Sequence, residues 1–172
     1  MLSAIRPLSS DEWARLHQSP VSVVAFVIGP PDDCSDDRSG PVPMVPVAEL
    51  RMAVDDAPDD ALLVFLHAGS LADQRALAGS IVAQFDPLSD SVAIPSVPAR
   101  EAIKRVDGTR VIEAVDRSTV FLHCGPEVMT RQALIDALDI LDITDVDQPV
   151  NPAVVVARSG RTVRLVESSS AM

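Results

Sequence analysis

Two apolar runs limit the fold more than anything else in the chain. VSVVAFVIG, residues 21–29, and ALLVFLH, residues 61–67, show no alternation of polar and apolar residues. A strand that is apolar on both sides must be covered on both faces, which places it inside a parallel or mixed sheet with helices above and below. SVAIPSV, Ser91 to Val97, reads as a further strand. Helical segments are expected between these runs: residues 47–54, then 71–85 starting near Ser70 and Asp73, then Glu127 to Leu138 with Val128, Leu134, Ile135 and Leu138 on one side. Strands alternating with helices make an α/β sandwich.

The connecting segments refine this outline. Residues 9–18 read as a short capped helix with Trp13 as a packing residue, while residues 30–43, with their prolines and Asp32, Asp33, Asp36 and Asp37, read as a loop. Ile103 to Val106 and Arg110 to Val115 form a hairpin about Asp107 and Gly108, and the tail from Ala153 onward reads as two strand-like pieces about Ser159 and Gly160. With 172 residues the chain is expected to make one domain, residues 1–172, in which 20–97 and 121–167 form the sandwich and 98–120 an arm. No apolar run reaches the length of a membrane span, and the N-terminus lacks the pattern of a signal peptide, so a cytoplasmic protein is expected.

Charge and ligand chemistry exclude several function classes. A formal net charge of −11 opposes binding to phosphate backbones, so nucleic acid is not an expected partner. Cys34 and Cys124 lack metal-ligand spacing, and the aspartates of residues 32–37 lack the spacing of a calcium loop. His123 and Cys124 are neighbours on an extended segment, where adjacent side chains point to opposite faces and do not make a nucleophile–base pair.

From Ile94 to Val128 the chain reads IPSVPAREAIKRVDGTRVIEAVDRSTVFLHCGPEV. This segment resembles the middle of the methylerythritol phosphate cytidylyltransferase family, whose pattern runs P-V-x-D-T-x-K, V-D, a D-R pair and T-P-Q. Pro98, Glu101, Ala102 and Lys104 fall in the first motif, Asp116 and Arg117 supply the D-R pair, and Gly125, Pro126 and Glu127 replace T-P-Q. Upstream, the segment around His67 is similar to the family's V-L-V-H-D-A-x-R-P strand, and RTVRLV is similar to its terminal strand; the resemblance covers residues 61–167. It implies a Rossmann-like three-layer α/β sandwich of the nucleotide-diphospho-sugar transferase type, with a projecting β-arm that makes a homodimer.

The departures from that pattern bear on function. The family's glycine-rich, cationic loop is replaced by Gly29, two prolines and four aspartates, with Arg38 as the loop's cation. Prolines remove N–H donors, and aspartates repel phosphate. Where the family has His-Asp the chain has His67 and Ala68, and an alanine offers no oxygen to a hard cation. The resemblance therefore implies a catalytically inactive homologue that binds a protein partner or a phosphorylated metabolite as a regulator or scaffold. No catalytic residue, no metal ligand and no cofactor are expected. Arg117, Lys104, Arg164 and His67 are the expected substrate-binding residues, with Arg117 also open to a salt bridge and His67 to simple packing. The alternative is a divergent nucleotidyltransferase acting on a phosphorylated sugar alcohol, with magnesium held by Asp32, Asp33 or Asp36.

Overall fold

A computed structural model describes residues 4–7, 22–29, 44–67, 71–123, 125–141 and 148–167. The expected helix at 9–18 with Trp13, the aspartate loop, Ala68 and Cys124 lie outside the described residues. The elements run in the order β1 (Ala4–Pro7), β2 (Val23–Gly29), β3 (Val45–Pro46), α1 (Val47–Asp55), β4 (Leu62–His67), α2 (Leu71–Gln84) and β5 (Val92–Pro98). They continue with β6 (Ile103–Asp107), β7 (Arg110–Val115), a 3-10 turn (Arg117–Thr119), β8 (Phe121–His123), β9 (Glu127–Thr130), α3 (Arg131–Ile140), β10 (Pro149–Val150), α4 (Pro152–Arg158) and β11 (Val163–Glu167).

The main sheet has the order β1-β2-β4-β9-β5-β11, with β8 also beside β5. Strands β2, β4, β5 and β11 run one way, and β1, β8 and β9 run against them. Alternate residues of β4 enter different cores, which is why its sequence carries no polar period. Leu63 and Phe65 join Phe26, Ile28, Met129 and residues of α1, α3 and α4, while Leu62, Val64 and Leu66 join Ile81, Val82 and Val128 under α2. Phe26 stacks on Phe65 at 5.4 Å between ring centres. Each such fully buried side chain contributes about 1.5–3 kcal/mol relative to exposure.

Two segments differ from the sequence reading. Glu127 to Thr130 is a strand rather than the first turn of a helix: Glu127, Val128, Met129 and Thr130 pair with residues 62–65 of β4. The helix begins only after Thr130, whose hydroxyl accepts from Ala133 N at 3.1 Å. The first half of the expected C-terminal strand pair is instead α4. There Asn151 caps the helix by accepting from Val154 N at 3.0 Å, and Pro152 sits at its first turn. These end signals and the burial of Val155 and Val156 against the sheet outweigh the β-preference of three consecutive valines.

Strands β6 and β7 pair only with each other among the described residues. Their two-residue turn holds Gly108 at φ 56°, the left-handed conformation that a tight hairpin requires. Val106, Val111 and Ile112 remain 58%, 51% and 51% exposed, and Phe121 and Leu122 at the base of the hairpin are exposed as well. The cross-strand ion pair Arg105–Glu113, at 3.2 Å, lies in solvent and contributes little. No helix among the described residues is long and apolar enough to cross a membrane.

Candidate functional site

The most unusual group in the sandwich is Glu127, a carboxylate with no exposure at all. It opens β9 opposite Phe65, so its side chain points to the same face as Phe65 and, two residues along β4, His67. A buried charge is tolerated only when its lone pairs are matched. Oε2 accepts from Ala153 N at 2.8 Å, at the start of α4, where unpaired N–H groups favour an anion. Oε1 accepts from Asn151 Nδ2 at 2.5 Å and meets His67 Nε2 at 3.2 Å. Asn151 thus caps α4 with one end of its amide and orients Glu127 with the other.

His123 completes the cluster. Its Nδ1 is 3.9 Å from Glu127 Oε1, and its ring meets His67 edge-on at 5.2 Å between centres. The i,i+4 approach of two residues on neighbouring strands depends on the break between β8 and β9. Ser96 faces His123 while Ala93 faces Val128, so the partner of β5 carries extra residues in the interval. Gly125 lies in that interval at φ 131°, with Leu77 and Pro95 each 3.4 Å from where a Cβ would stand. His67 is fixed from behind by Gln74 of α2, whose amide bonds both its N–H and its carbonyl at 2.7 Å.

Burial by itself would push the Glu127 carboxyl up. The hydrogen bond and charge of His67, then the charge of His123 and the Asn151 amide, outweigh it and hold the group below its ordinary 4.5. His123 is pulled below its ordinary 6.5, first by burial, with Glu127 opposing and the neighbouring His67 adding to the fall. At neutral pH the cluster therefore holds a carboxylate beside a neutral His123.

The four residues expected from the sequence do not converge. His67 is at the C-terminal end of β4, in the cluster just described. Arg117 follows the hairpin and donates to the carbonyl of Arg100 at 2.8 Å rather than pairing with Asp116. Asp116 instead accepts from Ser118 N and Oγ at 3.0 and 2.8 Å, which hold its carboxyl below its ordinary value. Lys104 stands exposed on β6. Arg164 is at the other end of the sheet, opposite Ala93, where it donates to Gln84 O at 3.0 Å. Its Nε is 3.1 Å from Asp90 Oδ2 without a well-aimed N–H, an ion pair by distance rather than a hydrogen bond.

Glu127 and His123 are the residues that the sequence reading did not select. In the sequence they stand only beside other features, His123 next to Cys124 and Glu127 at the end of the segment that replaces T-P-Q and at the start of an expected helix. The donors at this strand end do not suit the magnesium that the alternative nucleotidyltransferase reading requires. Mg2+ demands near-octahedral oxygen coordination and keeps several waters, whereas here two of the three donors are imidazole nitrogens.

No protein-family model matches the chain. It is 25% identical over 171 residues, 98% of its length, to a bifunctional enzyme IspD/IspF of Rhodopseudomonas palustris. It is 38% identical over 86 residues, 49% of its length, to a 2-C-methyl-D-erythritol 4-phosphate cytidylyltransferase of Pseudomonas putida. The matches span 40% and 35% of those two curated relatives. Among solved structures it is similar to the 2-C-methyl-D-erythritol 4-phosphate cytidylyltransferase of Thermus thermophilus, with a TM-score of 0.55, 18% identity and coverage of 92% of this chain and 78% of that one. The Francisella tularensis enzyme gives a TM-score of 0.54 at 19% identity, covering 71% of this chain and 58% of that one. These structural likenesses carry the fold.

Proposed function

Starting from a chain related in sequence and fold to the 2-C-methyl-D-erythritol 4-phosphate cytidylyltransferases, we propose that it is a catalytically inactive cytidylyltransferase-like protein. It acts as a homodimeric regulator or scaffold that binds a protein partner or a phosphorylated metabolite. The observation that carries this reading is the dispersal of the cations: Arg117 is engaged by a backbone carbonyl, Lys104 stands on the hairpin and Arg164 lies at the far end of the sheet. A triphosphate is held by donors and cations aimed at one point, and catalysis of its transfer depends on that preorganisation. The strand end that carries His67 presents a buried carboxylate instead, which repels phosphate.

The homodimer is supported by the hairpin. An isolated two-stranded ribbon is marginal in water, and apolar residues left half exposed on it favour a second surface. The test of inactivity is pyrophosphate release from cytidine triphosphate in the presence of magnesium and methylerythritol phosphate. The expected rate equals that of the mixture without protein. Release that scales with protein concentration overturns the reading and favours a divergent nucleotidyltransferase.

A further inference from the structure

We propose that His67, His123 and Glu127 form a binding site for one zinc-class divalent cation at the C-terminal end of the central strands. The site goes beyond the inactive-homologue reading and does not depend on it. Two imidazole nitrogens and one carboxylate oxygen are borderline donors of the kind that select zinc and its first-row neighbours over magnesium or calcium. Their donor atoms all lie within 4.8 Å of one another. Metal–ligand bonds of about 2.0–2.2 Å at tetrahedral angles place neighbouring donors about 3.3 Å apart. His67 Nε2 is already 3.2 Å from Glu127 Oε1, whereas His123 Nδ1, 3.9 Å away, must move closer for ligation.

Three further observations separate this site from a plain polar tie between strands. Nε2 of His123, the ring nitrogen other than the one 3.9 Å from Glu127, is buried with no hydrogen-bond partner among the described residues, and a flip of the ring would present it to the cation. Glu127 is oriented from behind by Asn151 and by Ala153 N, the outer-shell arrangement that fixes a metal-binding carboxylate. The imidazoles keep 12% and 14% exposure while Glu127 keeps none, so a cation has access from the histidine side, where water supplies the fourth ligand.

The test uses the full chain, stripped with a chelator and titrated with Co2+ as a spectroscopic probe, followed by displacement with Zn2+. One cobalt per chain is expected, with visible bands of a four-coordinate nitrogen and oxygen site, lost on adding zinc. His123→Ala, at a partly exposed position, lowers zinc affinity at least about tenfold, and Asn151→Ala lowers it about ten- to a hundredfold by releasing the carboxylate. Glu113→Gln, on the exposed hairpin, leaves it unchanged. Circular dichroism verifies that each variant is folded, and His67→Ala replaces any variant that is not. The proposal is overturned if the folded parent chain takes up no cobalt, if folded His123→Ala and His67→Ala bind zinc as tightly as the parent, or if a thiolate–cobalt charge-transfer band shows a cysteine as ligand.

Discussion

The strand end around Glu127 and the hairpin of β6 and β7 are built on opposite terms. At the strand end the Glu127 carboxylate is matched within the chain: β4, β9 and the start of α4 meet on one group with no exposure. In the hairpin the backbone ladder runs with one register shift between Arg105 and Val106, and apolar side chains stay half exposed on a ribbon that pairs with nothing else described. The first region is specified by the monomer's own packing. The second is specified in register and leaves its apolar side chains half exposed. A charge change should therefore have opposite consequences in the two places, destroying stability in one and altering association in the other.

The largest effect is expected at Glu127. Glu127→Ala leaves His67, Asn151 and the Ala153 N–H without their shared acceptor, and breaking a buried charged network in this way costs about 3–5 kcal/mol. Urea unfolding of metal-free protein measures it; a loss below about 1 kcal/mol, the level of an ordinary surface change, would show that the cluster is not a structural centre.

Acid sharpens the same point. Glu127 and His123 are both held below their ordinary values of 4.5 and 6.5, so on acidification the unfolded chain takes up each proton before the folded one does. Stability therefore begins to fall as the pH drops below about 6.5, where unfolded His123 protonates. It falls further below about 4.5 and is lost as the pH passes through the folded value of Glu127. In chelator-treated buffer the unfolding midpoint of the parent should drop more steeply below pH 4.5 than that of Glu127→Gln. Parallel profiles would assign the acid sensitivity to other carboxylates.

At the hairpin the expected cost to the fold is small. Ile112→Glu places a charge on a side chain that is 51% exposed, so the monomer's stability should change by no more than about 0.5 kcal/mol. Light scattering should nevertheless report dimers for the parent at low micromolar concentration and monomers for the variant. A parent chain that is already monomeric removes the arm from the account. A variant that unfolds shows that the hairpin belongs to the monomer's own core.

How far each region could be read from sequence follows from the same contrast. The apolar runs of β2 and β4 announced a two-sided sheet because burial on both faces leaves no period to confuse. The hairpin was equally plain, since Gly108 marks it within local sequence, although its turn residues are Gly108 and Thr109, with Asp107 paired to Arg110. The cluster was hidden because His67 and Glu127 are 60 residues apart and meet only through the pairing of β4 with β9. That pairing was obscured in turn by the four-residue length of β9, whose Val128 completes an apparent helical stripe with Leu134 and Leu138 of α3. The valines of α4 mislead for a related reason: their β-preference is a local trait, whereas the Asn151 cap, Pro152 and burial against the sheet fix a helix.

The central claim, a cytidylyltransferase fold without nucleotide activation, is tested most directly by thermal unfolding with cytidine triphosphate and magnesium added together and separately. A ligand at a hundred times its dissociation constant stabilises a fold by about 2.7 kcal/mol, a shift of several degrees in Tm. The account predicts no magnesium-dependent shift at millimolar nucleotide. A rise in Tm that requires both components would contradict it and place a working triphosphate site in this chain.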